Sequence, residues 1–166
     1  DDSTPGYTIV NAGTTGVTLA RLKFSAKNED IEIRRVNLQI SNNATTPLPG
    51  SATNTPIDLV GQQITLWDGA TQIGTAVFGG GGDFATSSLF AGGAFMVPKD
   101  GSKTLTVKGD ISDIGVSGPL SNSGDLLIVD YDGGATGLAN GNYGVGLGSA
   151  SNISPTSADT NLAGVR

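Results

Sequence analysis

The chain has 166 residues, 70 of them Gly, Thr, Ser or Asn, with two Glu, no Cys and no His. This composition excludes disulfides, thiol nucleophiles, Ser-His-Asp triads and Cys/His zinc sites, leaving acid–base work to Asp, Glu, Lys or Tyr. A net charge of −6 repels phosphate backbones and anionic lipid, so neither nucleic acid nor a membrane surface is an expected partner.

Residues 1–16 read as an N-terminal arm. Its Tyr7-Thr-Ile-Val10 segment is β-prone and set off by Gly13 and Gly16. Tyr7, Ile9 and Val10 suit either a donor strand for a neighbour's sheet or a first strand of the chain's own. Residues 17–166 read as a single β-sandwich domain with a Gly-rich C-terminal segment. Strict alternation in Val17-Thr-Leu-Ala-Arg-Leu-Lys-Phe-Ser-Ala26 predicts a strand with Ala20, Leu22, Phe24 and Ala26 inward. Asn28-Glu29-Asp30 is a turn. In Ile31-Glu-Ile-Arg-Arg-Val-Asn-Leu-Gln-Ile40 the apolar phase slips from odd to even positions. One extra residue at Arg34-Arg35 restores a single buried face, which predicts a β-bulge or a strand that changes sheets.

Residues 41–56 form a long loop rich in turn formers. Ile64–Trp67 and Thr71–Phe78 flank Asp68-Gly69, a strong hairpin signal. Phe95–Val97 and Ser102–Ile111 flank Pro98-Lys-Asp-Gly101, which predicts a second hairpin. Asp125–Tyr131 is apolar enough for a strand covered on both faces. Gly133–Gly148 holds seven Gly and little bulk. The whole predicts an all-β, antiparallel β-sandwich, Ig-like or jelly-roll-like, with seven to eight main strands and almost no helix.

Val17–Ala26, the Asn-Glu-Asp turn, Ile31–Ile40, Leu66-Trp-Asp-Gly-Ala-Thr-Gln-Ile-Gly-Thr-Ala-Val-Phe78 and Lys103-Thr-Leu-Thr-Val-Lys-Gly-Asp-Ile111 together resemble β-sandwich domains of prokaryotic surface-layer and pilus-like proteins. The resemblance covers about a quarter to a third of the chain and brings no catalytic motif to transfer. Such domains sit in longer secreted polypeptides, and the Asp1-Asp2-Ser3 start reads as a processed or excised end. The resemblance implies an extracellular, non-enzymatic structural subunit, in a pilus-like filament or surface layer, whose partners are its own copies or flanking domains. A secreted carbohydrate-binding or adhesive module is the alternative.

Several residues are candidates for chemistry. Asp130-Tyr-Asp132-Gly133, with Asp125 upstream, offers hard oxygen ligands around a Gly-permitted turn, which suits Ca²⁺. An ordinary strand end with an Asx turn has the same sequence. Asp110 and Asp113 are a carboxylate pair, as a glycosidase needs, and equally solvated loop residues. Trp67, Tyr7, Tyr131 and Tyr143 are candidates for a sugar-stacking platform, or for core and rim. Asn43-Ala-Thr45 and Asn152-Ile-Ser154 are glycosylation sequons of the number chance provides. Arg21, Lys23, Arg34 and Arg35 lie on consecutive predicted strands. They read as a basic stripe that docks the acidic C-terminal half of a neighbour, or as cross-strand pairs on a solvated face.

Overall fold

Period-two alternation sets the longest strands, because successive side chains of an extended chain point to opposite faces. In the computed structural model, which describes residues 8–40, 55–79, 82–115, 127–135 and 141–155, this alternation builds an all-β protein. In chain order the strands are β1 (Val17–Ser25), β2 (Ile31–Arg35), β3 (Asn37–Ile40), β4 (Leu59–Asp68), β5 (Thr71–Val77) and β6 (Phe84–Thr86). They continue with β7 (Met96–Val97), β8 (Ser102–Ile111), β9 (Val129–Tyr131), β10 (Tyr143–Gly146) and β11 (Asn152–Ile153). One 3-10 turn, Pro56–Asp58, leads into β4.

All pairings are antiparallel. The first sheet has the order β1-β8-β4-β5, the second β11-β10-β2-β7 and the third β6-β3-β9. Leu22 and Leu105 from the first sheet, Ile33 and Val97 from the second, and Leu38 and Val129 from the third meet in one apolar core. Phe78, Phe90 and Phe95 are fully buried within it. Burying each such ring contributes about 1.5–3 kcal/mol. The sandwich-like all-β class expected from the sequence is therefore what the chain adopts.

The phase slip at Arg34-Arg35 marks both of the events it predicted. Tyr143 pairs with Arg35 while Gly144 pairs with Ile33, so Arg34 is the extra residue of a bulge. One residue later, at the fully buried Val36, the chain leaves the second sheet and enters the third as β3. The β4–β5 hairpin also forms, with a shifted turn. Asp68 pairs with Thr71, so Gly69-Ala70 rather than Asp68-Gly69 makes the two-residue loop. Gly69 has φ of 58° and Ala70 does not, the sign pattern of a II′ turn.

One expectation is corrected. Pro98–Gly101 does turn the chain, with the Gly101 N–H donating to the Pro98 carbonyl at 3.0 Å. But β7 pairs with β2 while β8 pairs with β1 and β4, so the turn crosses between sheets instead of closing a hairpin. A turn's own chemistry reverses the chain without choosing its partner strand. The Gly-rich stretch after Gly133 contributes β10, paired with both β2 and β11. A Cβ on Gly144 would lie 2.9 Å from the Glu32 carbonyl oxygen, so glycine is what lets the two backbones approach.

The β10–β11 hairpin is latched by Glu29 in the β1–β2 turn. Its carboxylate accepts the Gly148 N–H at 2.7 Å, the Ser149 N–H at 2.8 Å and the Ser149 hydroxyl at 2.8 Å. The Ser149 hydroxyl first, then the Ser149 and Gly148 backbone groups, hold this carboxyl below the usual carboxylate range. Because the folded value is lowered, the latch contributes fully above the ordinary glutamate pKa and is lost as pH falls through the lowered one. The protection of the Gly148 and Ser149 amides, their exchange rate relative to the intrinsic rate at each pH, is expected to fall on acidification through that window in wild type. In Glu29→Gln the protection should already be low at neutral pH. Equal protection of these amides in both proteins would refute the latch.

Candidate functional site

The arm and the strand it precedes form the first place of interest. Positive φ at Gly13 (74°) and Gly16 (67°) turns the backbone where other residues are strained. The Ile111 N–H donates to the Thr14 carbonyl at 2.8 Å, and the Gly16 N–H donates to the Asp110 carboxylate at 2.7 Å. A Cβ on Gly13 would lie 2.7 Å from an Asp113 carboxylate oxygen. Asp110 and Asp113, the candidate glycosidase pair, thus both sit at the base of the arm. Beyond that tether, Thr8–Val10 belong to none of the three sheets, and Ile9 is 102 % exposed. Tyr7 lies outside the described residues.

β1 is the edge of the first sheet and pairs only with β8 on its inner side. Among the described residues no strand pairs with its outer side. This is a nine-residue edge with a bulge at Leu19, between Thr18 and Ala20. The opposite edge, β5, is bridged to the third sheet. Ala76 pairs with Ser87, and the Ser88 N–H donates to the Thr75 carbonyl at 2.7 Å.

The four cations expected to form one stripe are divided. Arg21 and Lys23 alternate with buried Ala20 and Leu22, so they point outward from the first sheet. Arg34 and Arg35 belong to β2 in the second sheet and are half-buried. Arg34 pairs with Glu32 at 3.2 Å, and Glu32 also accepts the Gly93 N–H. β1 and β2 follow one another in sequence but do not pair, which is why sequence adjacency misplaced the set.

Among the candidate calcium ligands, Asp130 is 3 % exposed in β9, opposite Gln39 of β3. Asp132 closes an Asx turn by accepting the Gly134 N–H at 3.1 Å. Asp125 lies outside the described residues. Among the described residues no three acidic side chains are grouped to hold an ion.

The aromatic candidates lie on different sheets. Tyr131 packs edge-on against Phe24, with ring centres 5.7 Å apart, and its hydroxyl donates to the Pro155 carbonyl at 2.7 Å. Burial, reinforced by Asp132, pushes its phenol well above the ordinary tyrosine value. Tyr143 stands opposite Arg35 in the second sheet. Trp67 points outward from the first sheet. Its indole N–H donates to Thr65 Oγ1 at 2.8 Å, and the Lys108 ammonium lies 4.4 Å from its ring centre. Asn43 lies outside the described residues, whereas Asn152 is exposed on β11.

Two structural residues escaped the reading of the sequence. Glu29 was one of several polar turn residues, and nothing local marked its partner 120 positions away. Asn142 sat in the Gly-rich segment yet is fully buried. An acidic residue at a short turn between two strong strands, paired with a distant Gly-Ser turn, is the only signal for the first. The chain matches no protein-family model, no curated protein and no solved structure.

Proposed function

We propose that this chain is a non-enzymatic structural subunit of an extracellular assembly, a filament or surface layer, whose copies join by β-strand addition. The observation that carries this reading is an exposed β-prone segment and a sheet edge that no described strand covers, on one molecule. Thr8–Val10 lie outside the sheets with Ile9 fully exposed, and β1 has no partner strand on its outer edge among the described residues. A nine-residue edge that no described strand covers is a template that β-proteins ordinarily blunt. Adding a neighbour's strand satisfies its backbone groups, while side-chain pockets set the register. Because donor and acceptor are different surfaces, the contact is head-to-tail and propagates into an open array. Arg21 and Lys23 flank the acceptor edge and favour the approach of acidic sequence, of which Gly109–Val165 carries six Asp and no cation.

Replacing Ile9 by Pro removes a backbone donor and breaks the extended pairing without touching the core. Wild-type protein is expected to form high-mass species in sedimentation and ordered particles in electron micrographs. Ile9→Pro should remain monomeric with an unchanged melting temperature. Wild type that stays monomeric at high concentration, or Ile9→Pro that assembles equally well, would overturn the proposal.

A further inference from the structure

The outer face of the first sheet has a sign opposite to that of the whole molecule. In register across its strands stand Arg21, Thr106 and Trp67 in one row, and Lys108, Thr65 and Thr75 in the next. Lys23 and Thr104 make a third. All alternate with buried residues, Leu22, Leu105, Val107, Ile64, Leu66 and Ala76 among them, and so point away from the core. Asp110 is the one carboxylate among the outward residues of these strands, and it is engaged by the Gly16 N–H. Asp68, of opposite phase, is paired with Lys103 at 2.6 Å. At the β1–β2 end the same face runs into an open depression of about 660 Å³, lined by Lys23, Ser25, Lys27, Asn28, Asp100 and Ser102.

We propose that this face binds an anionic polysaccharide, a chain of uronate sugars. Charge selects an anion. A ligand within a screening length of about 8 Å responds to the local lysines and arginine rather than to the molecule's net −6. The remaining chemistry selects a sugar. Thr75, Thr106, Ser25 and Ser102 supply hydroxyls of the kind that both donate and accept, matching a polyol. At Trp67 a flat apolar ring and a cation are held together, the indole edge fixed by Thr65 and the Lys108 ammonium over its face. A uronate presents the complement on a single ring, an apolar C–H face beside a carboxylate. The flexible lysine stem lets the ammonium move from the indole to that carboxylate, freeing the ring for stacking. An acidic peptide satisfies the charges but has no such face for Trp67. The inference does not depend on strand addition, which uses the arm and the β1 edge.

Trp67 is the only tryptophan in the chain, so its fluorescence reports this face alone. Titration of the full-length protein with polygalacturonate is expected to shift that fluorescence saturably and to weaken as salt is raised. Polyglutamate of equal charge should act much more weakly, and neutral cello-oligosaccharides should have no effect. The double variant Lys23→Gln/Lys108→Gln, checked for an unchanged melting temperature, is expected to bind polygalacturonate at least about tenfold more weakly. The proposal is overturned by no response to polygalacturonate, by an equal response to polyglutamate, or by undiminished binding in the double variant. It is likewise overturned if the double variant changes the sedimentation of the protein while leaving polysaccharide binding intact, since the face then serves a second copy.

Discussion

Replacing Asn142 by Leu is expected to cost about 3–5 kcal/mol of folding stability, from the loss of several buried hydrogen bonds at once. The side chain is fully buried, and its amide joins three separate parts of the chain. Its Oδ1 accepts the Asn37 N–H at 2.8 Å, at the start of β3. Its Nδ2 donates to the Asp132 carbonyl at 2.6 Å and the Ala135 carbonyl at 2.8 Å, in the turn after β9. Leucine has the same number of side-chain heavy atoms but leaves the Asn37 N–H and the Asp132 carbonyl facing an apolar group, while the Ala135 carbonyl keeps the bond from the backbone N–H of residue 142 at 2.9 Å. Each such group left unsatisfied costs about 1–3 kcal/mol, and the two are not strictly additive. A domain of this size has about 5–15 kcal/mol in total, so the variant should lose a large share of its stability. Urea denaturation measures this directly. Asn152→Leu, at an exposed position of β11, is the matched control and should change stability by less than about 0.5 kcal/mol. A cost below about 1 kcal/mol for Asn142→Leu would show that water or relaxed backbone replaces the amide.

The second large effect lies where β5 crosses the core. A Cβ on Gly74 would lie 2.6 and 2.9 Å from two ring carbons of Phe90, which is itself fully buried. Phe90 is also held by its backbone, whose N–H donates to the Arg34 carbonyl at 2.8 Å, so the ring cannot simply withdraw. Phe90→Ala is expected to cost about 3–5 kcal/mol through lost burial and a residual cavity. Gly74→Val in the wild-type background overpacks the same spot and should cost about 1–3 kcal/mol. Combined, the two changes should cost clearly less than their sum, since the valine occupies space vacated by the ring. Valine also favours the strand that glycine weakens. Thermal or urea unfolding of the four proteins closes the cycle. Strict additivity would mean that Gly74 and Phe90 do not share space.

The two sites illustrate different degrees of legibility. Gly74 lies in a run whose alternation and turn announced a hairpin, and that hairpin forms. The run itself did not disclose which aromatic ring, 16 positions later, needs the missing side chain. Asn142 carries no local signature, because Asn in a Gly-rich stretch has the composition of a surface turn. Its role exists only once β3, β9 and β10 are assembled around it. The same holds for the arm. Tyr7–Val10 was legible as a β-prone segment, but whether the chain covers it was a question of what lies alongside. For Thr8–Val10 the answer is that no sheet includes them.

By itself the sequence determined what repeats at short range. Period-two burial placed β1, β4, β5 and β8, the phase slip located the bulge at Arg34, and the absence of His and Cys excluded whole classes of chemistry. These follow from side-chain direction and residue type, which are properties of a few neighbouring positions. Only the tertiary structure decided which strands pair. It sent β7 and β8 to different sheets across a well-formed turn and made a strand of the glycine-rich Tyr143–Gly146. It also separated Arg21 and Lys23 from Arg34 and Arg35 and set the first two on a face with Lys108 and Trp67. Pairing depends on which distant backbone can come close enough to complete the hydrogen bonds and bury the apolar face, and no local window of the chain contains that information.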